Sequence, residues 1–340
     1  MKKLFGIFTI LLTFVFVLSC GAKTEEAPAA EATGKKVAIV YSTGGKGDKS
    51  FNDSAFRGME KAKAELGVEF SEYEPKDPSV EAKNQLTEYA QSGEYELIIG
   101  VGFTMKESVE AVAGEYPDQK FALIDDVIEG KDNVVSLMFR EQEGAFLTGA
   151  LAAMMTKTNV LGFVGGVEAP VIHRFATGFI QGARHVNPEI TILTAYVNGS
   201  NPFNDPVAGK QLTESIIAQN ADIVMHAAGA TGAGVFKAAE EKGVFAIGVD
   251  SNQDGEVPGT ILTSMIKNVD VAVFETIKAV VEGSFEAGVK YFGIAEDGVG
   301  ITELEFTKDV IGQENIDKLN ALNAEVKEGK IKVDENGPLK

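Results

Sequence analysis

From Lys36 onward, short runs rich in Val and Ile alternate with amphipathic stretches of helical length, and the alternation runs its course twice. Strands that are apolar on both sides must be covered on both faces, and helical crossovers between parallel strands achieve this. The first pass predicts strands over residues 37–41, 68–73, 97–101, 121–124 and 134–138. The second predicts them over 160–164, 190–196, 223–226, 245–249 and 261–265. At 340 residues the chain is long for a single core, so two lobes wound alike are expected, although no short sequence repeat underlies the likeness.

The two halves share their punctuation. A predicted strand reaching Gly102 is followed 23 residues later by Asp125, and one reaching Gly229 is followed 21 residues later by Asp250. Each Asp directly follows an apolar run. Ligands of parallel α/β sheets sit beyond the carboxyl ends of the strands, so facing lobes would aim both carboxylates into one cleft. Either Asp alone could equally cap the following helix. The doubled pattern favours a site.

The first βα loop, residues 42–50, is glycine-rich but falls short of a phosphate loop. Asp48 puts a carboxylate where backbone N–H groups would have to face phosphate, which excludes a nucleoside triphosphate. Ser50 and Asp53 have the spacing of a capping box, predicting a helix that carries Phe56 and Met59 and leaves Phe51 at the loop end of the strand layer. Phe203 stands in a polar loop beside Pro202 and Pro206. With one such ring from each half, Phe51 and Phe203 could sandwich a flat ligand; the alternative is two loop phenylalanines folded against their own lobes.

The segment around Gly229 lacks the Gly-x-Gly-x-x-Gly of a dinucleotide site, and a ligand hydroxyl at the helix N-terminus suits it better. His173, His185 and His226 are scattered without metal-ligand spacing, and there is no Gly-x-Ser-x-Gly elbow. No enzyme chemistry, metal or cofactor is expected.

Lys2 and Lys3 precede an apolar stretch over 4–18, too short to span a bilayer but fitting a secretory signal. It ends Val17-Leu18-Ser19-Cys20-Gly21, resembling a bacterial lipobox, in which the cysteine takes acyl chains such as palmitate and becomes the mature N-terminus. Cys20 is the single cysteine, so disulfides and cysteine zinc sites are excluded. Residues 1–19 are therefore read as a signal peptide. Residues 20–36, with no aromatic or branched aliphatic side chain, are read as a lipidated tether. Loss of Lys2 and Lys3 with the signal takes the net charge from −19 to −21, which argues against nucleic acid as a partner.

Taken together, Asp48-Lys49-Ser50-Phe51-Asn52, Ile124-Asp125, Phe203-Asn204-Asp205-Pro206, the glycine segment from Gly229, Gly248-Val249-Asp250 and Thr263-Ser264-Met265-Ile266-Lys267 carry a resemblance. End to end, the chain resembles the basic membrane protein (BMP) family of bacterial lipoproteins, and within it the treponemal purine nucleoside receptors, substrate-binding proteins of ABC transporters. The resemblance implies a type I periplasmic-binding-protein fold, with two doubly wound parallel-sheet α/β lobes joined by a hinge of three crossing segments. Lobe 1 would comprise 37–140 plus 263–288, and lobe 2 would comprise 141–262 plus 289–340.

The resemblance also implies that Phe51 and Phe203 sandwich a purine while Asn52 and Asp125 hydrogen-bond its edge. Asp250, Lys267 and the Gly229 backbone would hold the ribose. Where those receptors set an Asp against the base, this chain has Ser42, whose hydroxyl can donate or accept, so base preference stays open. The implied function is a receptor, anchored to the cell membrane through lipidated Cys20, that captures adenosine, guanosine or inosine and delivers it to an ABC permease. The alternatives are a binding protein for a sugar or another small polar ligand, and, from other classes, a nucleoside-cleaving enzyme or a surface adhesin.

Overall fold

A computed structural model describes residues 33–339; the expected signal peptide, Cys20 and the tether as far as residue 32 lie outside the described residues. The first lobe is built from β1 (Lys36–Val40), α1 (Phe51–Leu66), β2 (Glu69–Tyr73), α2 (Pro78–Ser92), β3 (Leu97–Gly100), α3 (Lys106–Glu115), β4 (Phe121–Ile124) and β5 (Val134–Phe139). The chain then crosses into α4 (Glu141–Met155), β6 (Val160–Gly165), α5 (Pro170–Val186), β7 (Thr191–Tyr196), α6 (Pro206–Ile217), β8 (Ile223–Ala227), α7 (Gly232–Lys242), β9 (Phe245–Asp250) and β10 (Ile261–Lys267). It returns for α8 (Val269–Val281) and β11 (Gly288–Phe292). The last crossing leads to β12 (Val299–Ile301), α9 (Lys308–Ile311) and α10 (Gln313–Lys327). No described helix is long and apolar enough to cross a membrane.

Two six-stranded sheets result, ordered β11-β5-β4-β3-β1-β2 and β12-β10-β9-β8-β6-β7. Every strand pair is parallel except β10 with β12. The central strands β3, β4 and β5 are buried along their whole length, as a sheet covered on both faces requires. Both sheets follow the doubly wound order in which the second strand lies outside the first and the third inside it. Each therefore has a switch point at the carboxyl ends of its first and third strands, and ligand crevices form there.

All ten expected strands are present within a residue or two of their predicted ends, but the lobe boundaries move. β10 lies wholly in the second sheet, so residues 263–267 belong to lobe 2 and the second crossing follows Lys267. β11 pairs with β5, so residues 289–292 belong to lobe 1 and the third crossing follows Phe292. Neither β11 nor β12 is legible in sequence. The first is a largely exposed edge strand and the second has three residues, so neither shows the buried run of the central strands. The body also begins earlier than expected. The Thr33 N–H donates to the Gly67 carbonyl at 2.9 Å, and Lys35 Nζ donates to the Val281 carbonyl at 2.9 Å.

The lobe 2 helices α4 and α5 pack with their backbones in close approach. A Cβ at Gly182 would overlap the carbonyl oxygen of Phe146, and one at Gly149 would overlap that of Phe179. Glycine at these positions lets α4, buried over most of its surface, press against α5. Gly182→Ala is expected to destabilise the protein by about 1–3 kcal/mol, as overpacking does. Gly300→Ala, where a Cβ meets open space, serves as the control. Thermal melting of both variants checks this, and a Gly182→Ala protein that melts with the wild type would contradict the close approach.

Candidate functional site

The carboxyl ends of the strands of both sheets face a shared cleft with about 610 Å³ of empty space, continuous with solvent. Its lining includes Ser42, Phe51, Asn52, Asp125, Phe203, Gly229, Asp250 and Lys267, so all eight residues singled out in the sequence meet at one place. Asp125 and Asp250 sit in the same left-handed backbone conformation, with φ of 74° and 65°, each where its strand ends. A non-glycine residue pays a steric cost there, smallest for Asn and Asp, and such strain concentrates at sites.

The floor is an ion cluster. Lys267 Nζ lies 2.6 and 2.7 Å from the two carboxylate oxygens of Asp125 and 2.9 Å from Glu141 Oε1. Glu141 Oε2 in turn accepts from Arg174 Nε at 2.6 Å. Lys267 is 1% exposed and Glu141 is fully buried, so two cations and two carboxylates balance one another out of water. Burial pushes the Asp125 carboxyl up, against the pull of Lys267. Burial also opposes charge on Lys267, but Asp125 and Glu141 outweigh it and hold the ammonium above the usual lysine value. For Glu141, burial is outweighed by Lys267 and Arg174, which keep the carboxyl below its usual range. The Lys267 ammonium also lies 4.9 Å from the ring centres of both Phe51 and Phe139. Its three hydrogens are accounted for by carboxylates, so the ribose contact that the resemblance gives it would need Asp125 or Glu141 to release one.

The start of α1 differs from the expected capping box. The Asp48 carboxylate caps the helix, accepting from the backbone N–H groups of Ser50, Asn52 and Asp53 at 2.9–3.1 Å. The Ser50 hydroxyl instead donates across the cleft to Asp250, while Asp53 accepts from Gly47 and Lys49 N–H and braces the loop. Asp48 comes two residues before Ser50 and reaches the same orphan donors, so it displaces the cap that local spacing suggested.

Asp250 is pushed up to about 7 by burial, which Lys267 and the Ser50 hydroxyl only partly offset. A second seam joins the lobes beside it. Gln253 Nε2 donates to the Lys49 carbonyl, and the Ser251 hydroxyl donates to the Ser50 carbonyl. His226, under the cleft, has its pKa pushed down to about 4 by burial, so it is neutral and donates from Nε2 to Gln253 Oε1.

Residues 35–337 match the family model described as Bmp, ABC transporter substrate-binding protein, PnrA-like. The chain belongs to the Bmp family. An uncharacterized lipoprotein of Pyrococcus abyssi is 37% identical over 91% of this chain and 79% of its own length. The ABC transporter nucleoside-binding protein BmpA of Lactococcus lactis is 31% identical over 88% of this chain and 91% of its own. Among solved structures, an ABC transporter solute-binding protein from Aeropyrum pernix K1 superposes with a TM-score of 0.81 at 32% identity, covering 88% of this chain and 92% of that one.

As a Bmp-family protein the chain is an ABC transporter substrate-binding protein with the type I periplasmic-binding-protein fold. Sequence reasoning did not find Glu141 and Arg174. They lie 33 residues apart on α4 and α5 and carry no motif, so only helix packing brings them together. Lys267→Met is expected to destabilise the Bmp-family protein by about 3–5 kcal/mol, because it strands the buried Asp125 carboxylate and leaves Glu141 with Arg174 alone. Adding Asp125→Asn, which leaves Glu141 paired with Arg174, should recover part of that loss. Urea unfolding of the single and double variants measures both; a single variant as stable as wild type would mean that the cluster holds nothing.

Proposed function

We propose that this protein captures purine nucleosides in the interlobe cleft and delivers them to an ABC permease, held at the membrane by acyl chains on Cys20. The observation that carries the reading is the pair of rings. Phe51 from lobe 1 and Phe203 from lobe 2 line one cavity, as a clamp on a flat heterocycle requires. In this reading Ser42 and Asn52 meet the base, with Asp125 next to them, while Asp250 and the Gly229 backbone hold the ribose hydroxyls near Lys267.

Charge supports a neutral ligand. The cations on the cavity floor are matched by Asp125 and Glu141, so a phosphate would find no free positive partner there and would face Asp250. The name of the Lactococcus relative points to the same ligand class, and that of the Pyrococcus relative to a lipoprotein. In this reading capture leaves the ligand unchanged: Asp125 is held by Lys267, and the Ser50 hydroxyl and Asp250 serve as a bridge between the lobes.

Calorimetry with adenosine, guanosine, inosine and free pentoses is expected to give nucleoside Kd values in the micromolar range or tighter, roughly −8 kcal/mol or better. Ligand recovered from the protein should be chemically intact. Binding of pentoses and of no nucleoside would replace this reading with a sugar receptor. Phe51→Ala and Phe203→Ala should each lose ~1–3 kcal/mol of stacking, roughly 5- to 150-fold in affinity, with melting curves to separate this from the packing both rings give the core. Unchanged binding in both would mean that no clamp exists. For the anchor, mass spectrometry of the N-terminal peptide from the native host should find acyl chains on Cys20; an unmodified Cys20 would remove the anchor and leave the ligand reading standing.

A further inference from the structure

The Asn52 amide is fixed by two partners that each allow only one reading. The Ser42 backbone N–H, which can only donate, lies 3.0 Å from Asn52 Oδ1. At the other end, Asp48 Oδ2 lies 3.0 Å from Asn52 Nδ2 and also accepts the Asn52 backbone N–H at 2.9 Å. Turning the amide over would set hydrogen against hydrogen at one end and oxygen against oxygen at the other, so Oδ1 faces Ser42. The Ser42 hydroxyl lies 3.1 Å from that same Oδ1, and two oxygens at this distance need a hydrogen between them. The amide oxygen has none, so Ser42 Oγ donates.

The consequence faces the cavity that both residues line. With its one hydrogen turned to Asn52, the Ser42 hydroxyl offers the ligand only lone pairs. Asn52 keeps one amide hydrogen beyond the one given to Asp48. This end of the cleft therefore presents an acceptor at Ser42 and a donor at Asn52.

We propose that Ser42 is a specificity-determining acceptor, selecting purine nucleosides whose base edge carries an N–H donor. This rests on the nucleoside reading above and assigns the polarity that the sequence left open. A 6-aminopurine offers its amino group to Ser42 and ring nitrogen N1 to Asn52; a 6-oxopurine offers N1–H and the 6-oxygen. The first satisfies the pair directly, and the second does so with the base shifted to bring N1–H to Ser42. Purine riboside, with ring nitrogens alone on that edge, does not. It leaves Ser42 unpaired, or forces the hydroxyl to turn and give up its bond to Asn52.

The test is the ratio of Kd values for purine riboside and adenosine, measured by calorimetry on the mature chain and on its Ser42→Ala variant, with melting curves for both. In the wild type purine riboside should bind about tenfold more weakly than adenosine, and in Ser42→Ala the gap should shrink to about threefold or less. Stacking is common to both ligands and cancels in the ratio. A wild-type ratio near one overturns the proposal without any variant, and so does a ratio that survives intact in a folded Ser42→Ala protein. In either case nucleosides still bind and the broader reading stands; if neither nucleoside binds, both fall together.

Discussion

The buried cluster of Lys267, Asp125, Glu141 and Arg174 is the constraint on which the cleft depends. Lys267 ends β10 where the chain makes its second crossing, and Glu141 opens α4 just after the first. Asp125 comes from the other lobe, at the end of β4. One ammonium thus ties two of the three crossings to the carboxyl end of a lobe 1 strand, at the point where the lobes hinge. Partners removed from water cannot be exchanged for solvent, so the geometry of the floor is held tightly.

That cluster also shapes what the cleft can accept. The protein carries a net charge of −19, yet its cavity floor is balanced charge for charge. In the proposed reading, recognition is left to ring faces, to hydrogen bonds with fixed amides and hydroxyls, and to Asp250, whose carboxyl is pushed up to about 7 by burial. The seam from Lys49 and Ser50 to Asp250, Ser251 and Gln253 closes one flank of the same cleft. Asp250 accordingly faces two roles, as a partner of Ser50 across the lobes and as a wall of the cavity.

Much of this was legible before any coordinates. Alternating apolar and amphipathic segments marked ten of the twelve described strands; eight of these are largely buried and write that burial into consecutive residues, and the edge strands β2 and β7 were marked by their place in the alternation. Asp125 and Asp250 were found as a pair because the fold repeats and each stands where an apolar run stops. Phe51 and Phe203 stood out as rings in polar loops, which need cover from elsewhere. β11 and β12 went unread because β11 is largely exposed and β12 is three residues long, and each is fixed by pairing with β5 and β10.

What the sequence determined by itself was therefore whatever short-range periodicity can encode: the strands, their winding into two like lobes, and the residues delivered to the strand ends. The tertiary structure alone decided which of those residues are free to act. Glu141 and Arg174 meet across two packed helices, Lys267 reaches Asp125 over 142 positions, and Ser50 is drawn from a local cap to Asp250, 200 residues away. The direction of a single hydroxyl hydrogen at Ser42 follows from partners at Asn52 and Asp48. A side chain's chemistry is written in its identity, but its remaining hydrogen-bonding capacity is what is left after its neighbours in space are satisfied, and those neighbours exist only in the folded chain.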